Sequence, residues 1–136
     1  MEETKNILKQ ATRRSLAILD ELGRGTSTFD GYAIAHSVLK YMVNTLKCRA
    51  MFATHYHMLL DDFRQVKNVA SYHMACKSTS EDKIAFLYKL RKGECPDSFG
   101  MNVALMSGLD RSLVTRAKKI SDAFKASMQR LPHSIP

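Results

Sequence analysis

No phosphate-binding loop of the form G-x-x-x-x-G-K-[ST] occurs anywhere in these 136 residues. Nothing in the chain therefore matches the usual cradle for a nucleotide's β- and γ-phosphates. No apolar run approaches the roughly 20 residues that cross a bilayer, so no membrane partner is expected. Met1-Glu2-Glu3-Thr4-Lys5 is not a basic stretch leading into an apolar core, which speaks against a signal peptide and against secretion. Cysteine is sparse and odd in number. Cys48, Cys76 and Cys95 show no C-x-x-C spacing, and this favours free thiols in a reducing compartment over a disulfide framework. Internal repeats and low-complexity segments are also lacking. Acidic residues are outnumbered, 13 against 21 Lys+Arg, giving a formal charge of +8. That excess suits an anionic partner such as nucleic acid or nucleotide, and solvated helix faces equally well.

What is present is an ordinary globular composition, 45% hydrophobic and 25% charged. The length allows at most one ordinary domain, burying about 68% of its unfolded surface. The most informative stretch is Ser15 to Gly31, SLAILDELGRGTSTFDG. An apolar run, Leu16 to Leu19, ends in the adjacent carboxylates Asp20 and Glu21. A buried strand that delivers two acids at its C-terminal tip is how an NTPase presents a magnesium-holding Asp beside a catalytic Glu.

Along the chain, Thr4 to Ala11 has helical spacing at Ile7, Leu8 and Ala11, consistent with a helix entering from before Met1. Ser15 to Asp20 reads as a parallel strand covered on both faces. Leu22 to Phe29 is a loop, and Asp30 is the expected N-cap of a helix reaching about Leu46, with Ile34, Val38, Met42 and Leu46 as its stripe. Arg49 to Thr54 is a second strand ending in the polar cluster Thr54-His55-Tyr56-His57. Strand, helix, strand makes a crossover unit, so both polar tips should share one sheet edge, outside the strand carboxyl ends where ligands of α/β sheets bind. Ala70 to Ser78 and Lys83 to Leu90 predict two strands around Thr79-Ser80-Glu81-Asp82, with Ile84, Phe86, Tyr88 and Leu90 on one covered face. Gly93 to Ser98 is a loop. Ser98 is expected to cap a helix over Phe99 to Ser107 that Gly108 stops. Asp110 caps a last helix with Leu113, Ala117, Ile120, Phe124 and Met128 as its stripe, and Leu131 to Pro136 is a tail.

Several of these residues carry chemistry. Side chains at Asp20 and Glu21, adjacent on an extended segment, point to opposite sides. Asp20 can hold magnesium through water while Glu21 faces an attacking water as general base, although an acidic pair also opens many surface loops. Gly23, Gly25, Thr26, Ser27 and Thr28 form a hydroxyl-rich loop able to approach phosphates, or a plain strand-to-helix connection. Arg24 could meet phosphate or pair with a nearby acid. His55 could hydrogen-bond a γ-phosphate or orient water, or be a structural histidine. A zinc pair of His55 and His57 is rejected, because no Cys or carboxylate lies at zinc-ligand spacing. The last helix carries Arg116, Lys118, Lys119 and Lys125. Its apolar stripe nevertheless argues for packing or a protein interface over direct DNA reading.

DELGRGTSTFDG, the pair Ala33 and Ala35, and FATHYH at Phe52 to His57 together resemble the ATPase domain of MutS-type DNA mismatch-repair proteins. The likeness continues through Asn68-Val69, Ile84 to Lys89, Ser98-Phe99-Gly100 and the helix near Asp110. His73 to Cys76 and Phe86 to Pro96 look most like the eukaryotic subunit that recognises single-base mismatches. The resemblance implies an α/β fold: a partial P-loop NTPase (ABC-type) parallel sheet with crossover helices, then a short β pair and a C-terminal helix-turn-helix element. It implies residues 1–107 as the C-terminal part of the ATPase domain, 108–130 as a dimer-bracing helix and 131–136 as a tail. Asp20 corresponds to the Walker B aspartate and metal ligand, Glu21 to the catalytic glutamate, and His55 to the switch histidine. Gly23 to Asp30 corresponds to a loop crossing to the partner subunit, which makes Thr26 and Ser27 nucleotide-facing residues.

The implied cofactors are ATP and Mg2+ in the complete dimeric ATPase. The implied partners are a MutS-type subunit in a heterodimer and mismatched double-stranded DNA held by other domains. Localisation is nuclear if the source is eukaryotic and cytoplasmic otherwise. On this resemblance the chain would start after the family's signature serine and Walker A, and the isolated chain is expected to bind ATP weakly and hydrolyse it negligibly. Two other classes remain open: a non-enzymatic dimerisation fragment, and a basic nucleic-acid-binding module. A chromosome-maintenance ABC ATPase fits the acidic pair but not GRGTSTFDG with ATHYH.

Overall fold

The computed structural model describes residues 1–80, 83–95 and 98–128. The chain forms two compact units, Met1–Ser71 and Tyr72–Pro136. The first contains α1 (Glu2–Gln10), β1 (Leu16–Asp20), α2 (Thr28–Tyr41) continued by a π-helical turn (Met42–Leu46), β2 (Arg49–Ala53) and α3 (Met58–Phe63). The strands β1 and β2 pair in parallel, in a register that sets Leu16 against Arg49 and Asp20 against Ala53. The expected strand, helix, strand unit is thus present, and both strand tips end at the same edge.

Apolar spacing explains how α2 is placed. Ile34 and Val38 face a core of Ala17, Leu19, Leu22 and Met42, joined by Ile7 and Leu8 of α1 and by Leu46. Its other stripe, Tyr32, Ala35 and Leu39, meets Tyr56, Leu59 and Phe63. Ala35 and Leu59 are almost wholly buried, and the small alanine side chain lets α2 and α3 approach closely. Only one face of β1 is covered, contrary to the expectation of two. Ala17 and Leu19 are buried while Leu16 and Ile18 remain open, Ile18 at 65% exposure. Helices α1 and α2 pack on one side of the two-stranded sheet, and the strand's period of two exposes every alternate residue.

The cap of α2 is Ser27, not Asp30. The Ser27 hydroxyl accepts the Asp30 backbone N–H at 3.2 Å, which places Asp30 in the first turn, where its charge complements the helix dipole. Lys47, at φ 52°, ends the π-helical turn by donating its N–H to Met42.

The second unit holds β3 (Tyr72–Ser80) and β4 (Lys83–Lys92), an antiparallel pair, followed by α4 (Gly100–Met106) and α5 (Arg111–Met128). The expected common face on β4 is broken. Ile84 is buried, whereas Phe86, Tyr88 and Leu90 are exposed. The register shifts between Met74 and Cys76, and Tyr88 turns left-handed at φ 52°. Such a bulge leaves residues unpaired and resets which side chains share a face. Phe99, without a side-chain cap, occupies the N-cap of α4 in place of Ser98. Gly108 stops α4 as expected, its N–H and that of Leu109 closing on Leu105 and Ala104. Asp110 caps α5 by accepting the Ser112 backbone N–H at 2.8 Å. Of the expected α5 stripe, Leu113, Ile120 and Phe124 are all more than half exposed, whereas Val114, outside that stripe, is buried. The Glu81-Asp82 turn, Pro96 and the tail at 131–136 lie outside the described residues.

Candidate functional site

Two strand tips build the site. Strand β1 ends at Asp20, whose register partner is Ala53, the last residue of β2. Glu21 follows with its backbone N–H bonded to the Ala53 carbonyl at 3.0 Å. This bond carries the pairing one step past the strand and brings the chain after β1 beside the chain after β2. Glu21 Oε1 consequently lies 3.8 Å from His55 Nδ1, both side chains being partly exposed. Residues 34 apart in sequence meet here because parallel pairing aligns the carboxyl ends of both strands.

Glu21 is not extended. Its φ of 47° is left-handed, a conformation that costs a non-glycine residue about 1–3 kcal/mol and that clusters at functional sites. The alternation expected for Asp20 and Glu21 therefore applies to Asp20 alone. Asp20 falls on the open face of β1 with Leu16 and Ile18, and the turn rather than the strand directs Glu21. Arg24 pairs with Glu21, its Nη1 2.6 Å from Oε2, and its backbone N–H closes the turn onto the Glu21 carbonyl at 3.1 Å. The pair is solvent-exposed and contributes little stability. Its consequence is geometric: one carboxylate oxygen is engaged by Arg24 and the other faces His55.

The remaining site residues are spread along the loop. Thr26 is exposed in the turn. Ser27 uses its hydroxyl to cap α2. Among the described residues, no hydrogen bond or ion pair joins either of them to Glu21 or His55. His57 is the N-cap of α3 and β2 stops at Ala53, so the two histidines do not share a strand.

Donor chemistry at the tips can be tested against magnesium. This ion keeps most of its waters and takes one or two carboxylates together with substrate phosphates. Among the described residues no group of three or more His, Cys, Asp or Glu is placed to cage a metal. Asp20 is exposed, with no ion pair or hydrogen bond to its side chain among the described residues. One free carboxylate beside Glu21 fits a magnesium ion brought in with phosphates and does not fit a dedicated protein cage. A shallow cavity of about 160 Å³ lies elsewhere in this unit, lined by His36, Lys40, Val43, Asn44, Asp62, Phe63 and Val66. It includes none of the site residues, which sit at open strand tips.

Two features beside the tips were not legible in the sequence. Tyr56, buried and one residue after His55, donates its hydroxyl to the Gly23 carbonyl at 3.1 Å. Tyr32 of α2 donates to Asp62 on α3, and His36 Nε2 stands 3.8 Å from the same carboxylate. Burial first, then the Asp62 bond and the Asp61 and Asp62 charges, push the Tyr32 phenol well above its ordinary value. The signals available in advance were a glycine pair, Gly23 and Gly31, flanking the loop, and an aromatic residue directly after the site histidine.

Comparison with known proteins shows the family to which the chain is similar. The family described as MutS domain V matches residues 1–125. The chain is 49% identical over 93% of its length to DNA mismatch repair protein MSH7 of Arabidopsis thaliana. It is 46% identical over 96% of its length to the probable DNA mismatch repair protein Msh6 of Drosophila melanogaster. Over its whole length it is 45% identical to DNA mismatch repair protein MutS of Roseiflexus sp. (strain RS-1). In each case it spans 12% of the relative's own length.

Proposed function

From the premise that the chain belongs to the MutS family of DNA mismatch-repair proteins, as part of that family's domain V, we propose that Asp20, Glu21 and His55 serve ATP hydrolysis in the complete protein. One observation carries this reading: a carboxylate and an imidazole from adjacent parallel strand tips stand 3.8 Å apart. In the proposed reaction the Glu21 carboxylate accepts the proton of the attacking water. His55 hydrogen-bonds the γ-phosphate or orients that water. Asp20 would hold Mg2+, which when bound neutralises charge on the β- and γ-oxygens. Thr26 and Ser27 belong to the loop that faces nucleotide across a subunit boundary, the Ser27 hydroxyl being already engaged in capping α2.

These 136 residues contain no G-x-x-x-x-G-K-[ST], so the reading assigns the phosphate cradle to other segments of the assembly. It further assigns mismatched DNA to other domains, a MutS-type subunit as partner in a heterodimer, and the nucleus as the location in a eukaryote. Residues 1–107 are read as the ATPase part and 108–130 as a dimer-bracing helix. Coupling of mismatch recognition to repair signalling would follow from the nucleotide state of the dimer.

The test is Glu21→Gln in the full-length dimer. We expect kcat for magnesium-dependent ATP hydrolysis to fall about 10²–10⁴-fold while nucleotide binding persists. Parental turnover in that variant would refute the reading. A second reading, a dimerisation element without catalysis of its own, is favoured by the exposed Leu113, Ile120 and Phe124 on α5. It predicts that partner capture survives Glu21→Gln and His55→Ala together.

A further inference from the structure

We propose that Tyr56 is a positioning residue of this site: its hydroxyl bond to the Gly23 carbonyl holds the turn that keeps Glu21 left-handed beside His55. Gly31 is a glycine so that this hydroxyl has room. The inference rests on the reading of Glu21 as the base.

The contacts define a small clamp. The segment that follows β1 is bonded at two places to the end of β2 and the residues after it, once at the acid and once two residues beyond it. The first is the Glu21 N–H to the Ala53 carbonyl at 3.0 Å. The second is the Tyr56 hydroxyl to the Gly23 carbonyl at 3.1 Å. The first bond fixes the strained residue at its own N–H against the last residue of β2, and the second fixes the turn two residues further on against the segment that carries His55. Tyr56 is itself fixed. Its backbone N–H bonds Thr54 Oγ1 at 3.0 Å, and its ring sits edge-on to Tyr32 with centroids 6.2 Å apart. The His55 ring lies on it at 4.3 Å.

Space around the hydroxyl explains both glycines. A Cβ on Gly31 would stand 2.2 Å from the Tyr56 hydroxyl oxygen and 2.4 Å from the Gly23 carbonyl oxygen. A Cβ on Gly23, already at φ +93°, would stand 2.4 Å from the Gly31 carbonyl oxygen. Side chains at either position would displace the acceptor or the donor. A displacement of His55 is thus transmitted to Glu21 through the ring and hydroxyl of its immediate neighbour. A buried phenol that only fills a core needs its ring and any acceptor. This one instead bonds the turn carrying the base.

Tyr56→Phe in the full-length dimer tests the proposal, since phenylalanine keeps the ring packing and removes only the bond. The expected result is about a tenfold fall in kcat with KM for ATP within about twofold, the size expected for loss of one such bond. Combining it with His55→Ala should add no further loss, because the hydroxyl acts through the same pair. Amide exchange across residues 22–26 should speed up in Tyr56→Phe whether or not Glu21 is the base. Parental kcat, or losses that multiply independently with His55→Ala, would overturn the coupling while Glu21→Gln still reports on the reading itself. Parental exchange across 22–26 would overturn the positioning role outright.

Discussion

The two units differ in how much of their apolar surface they cover themselves. In Met1–Ser71, Ala17, Leu19, Leu22, Ala35, Met42, Tyr56, Leu59 and Phe63 are buried hydrophobics, whereas in the second unit the described counterparts are Ala75, Ile84 and Val114. The second unit leaves Tyr72, Met74, Phe86, Leu90, Leu113, Ile120 and Phe124 substantially exposed. At about 25 cal/mol per Å² of apolar surface, a unit with few buried side chains draws little stability from its own core. The site-bearing unit therefore holds its strand tips with a packed interior. The other presents a strand pair and a helix whose apolar stripe is open to solvent.

This contrast can be broken most directly by truncating one core residue in each unit. Leu59→Ala is expected to cost about 2–5 kcal/mol of unfolding free energy. Val114→Ala should cost about 1–2 kcal/mol, from the two methyl groups it removes. Denaturant titration of the two variants decides, and equal costs would show that the second unit has a core comparable to the first.

A smaller effect sharpens the account of how the loop passes into α2. Ser27→Ala removes the acceptor for the Asp30 N–H and should cost about 0.5–2 kcal/mol. Asp30→Asn should cost less, because Asp30 is not the cap. The reverse order in thermal melts would restore Asp30 to that role.

Smaller still is the expected stability change for Phe124→Asp, within about 0.5 kcal/mol, since Phe124 is 64% exposed. The same variant should weaken association with a partner subunit in a pull-down. A large loss of stability would mean that the α5 stripe is already covered.

The mildest probe is pH, and it should act on the two units from opposite ends. Tyr32 has a folded value raised above its ordinary 10.0. Its contribution is complete below pH 10 and is lost as pH rises through the raised value, loosening the α2–α3 contact in alkali. Asp110 is lowered from 3.8, chiefly by the Ser112 hydroxyl bond and then by the Ser112 backbone N–H. Its contribution is present above 3.8 and is lost as pH falls through the lowered value, which frays the start of α5 in acid. Residue-level amide exchange at both extremes would expose a swap of the two responses.

Much of the site-bearing unit was legible in advance because its signals are local. Apolar runs at Leu16 to Leu19 and Arg49 to Ala53, separated by helical spacing, sufficed to align Asp20 and Glu21 with His55. What escaped depends on partners far along the chain. Helix α3 is too short to show a period and is stabilised by packing on Ala35. The cap moved from Asp30 to Ser27 because the hydroxyl reaches the third helical N–H, a choice that residue type alone leaves open. In the second unit the alternation from Ile84 to Leu90 marks a strand, and one forms over Lys83–Lys92. The bulge at Tyr88 then reassigned its faces.

Residue identity and spacing by themselves determined the chemistry available at the strand tips, the family that shares it, and the helices and strands that deliver it. Tertiary structure alone decided that Glu21 would turn left-handed, that Arg24 would take one of its oxygens, and that Tyr56 would close on Gly23 from 33 residues away. It also decided that the stripe of α5 would stay open. Local propensity acts over a few residues, whereas the fit of a hydroxyl between two glycine backbones exists only once parallel pairing has brought the two tips together.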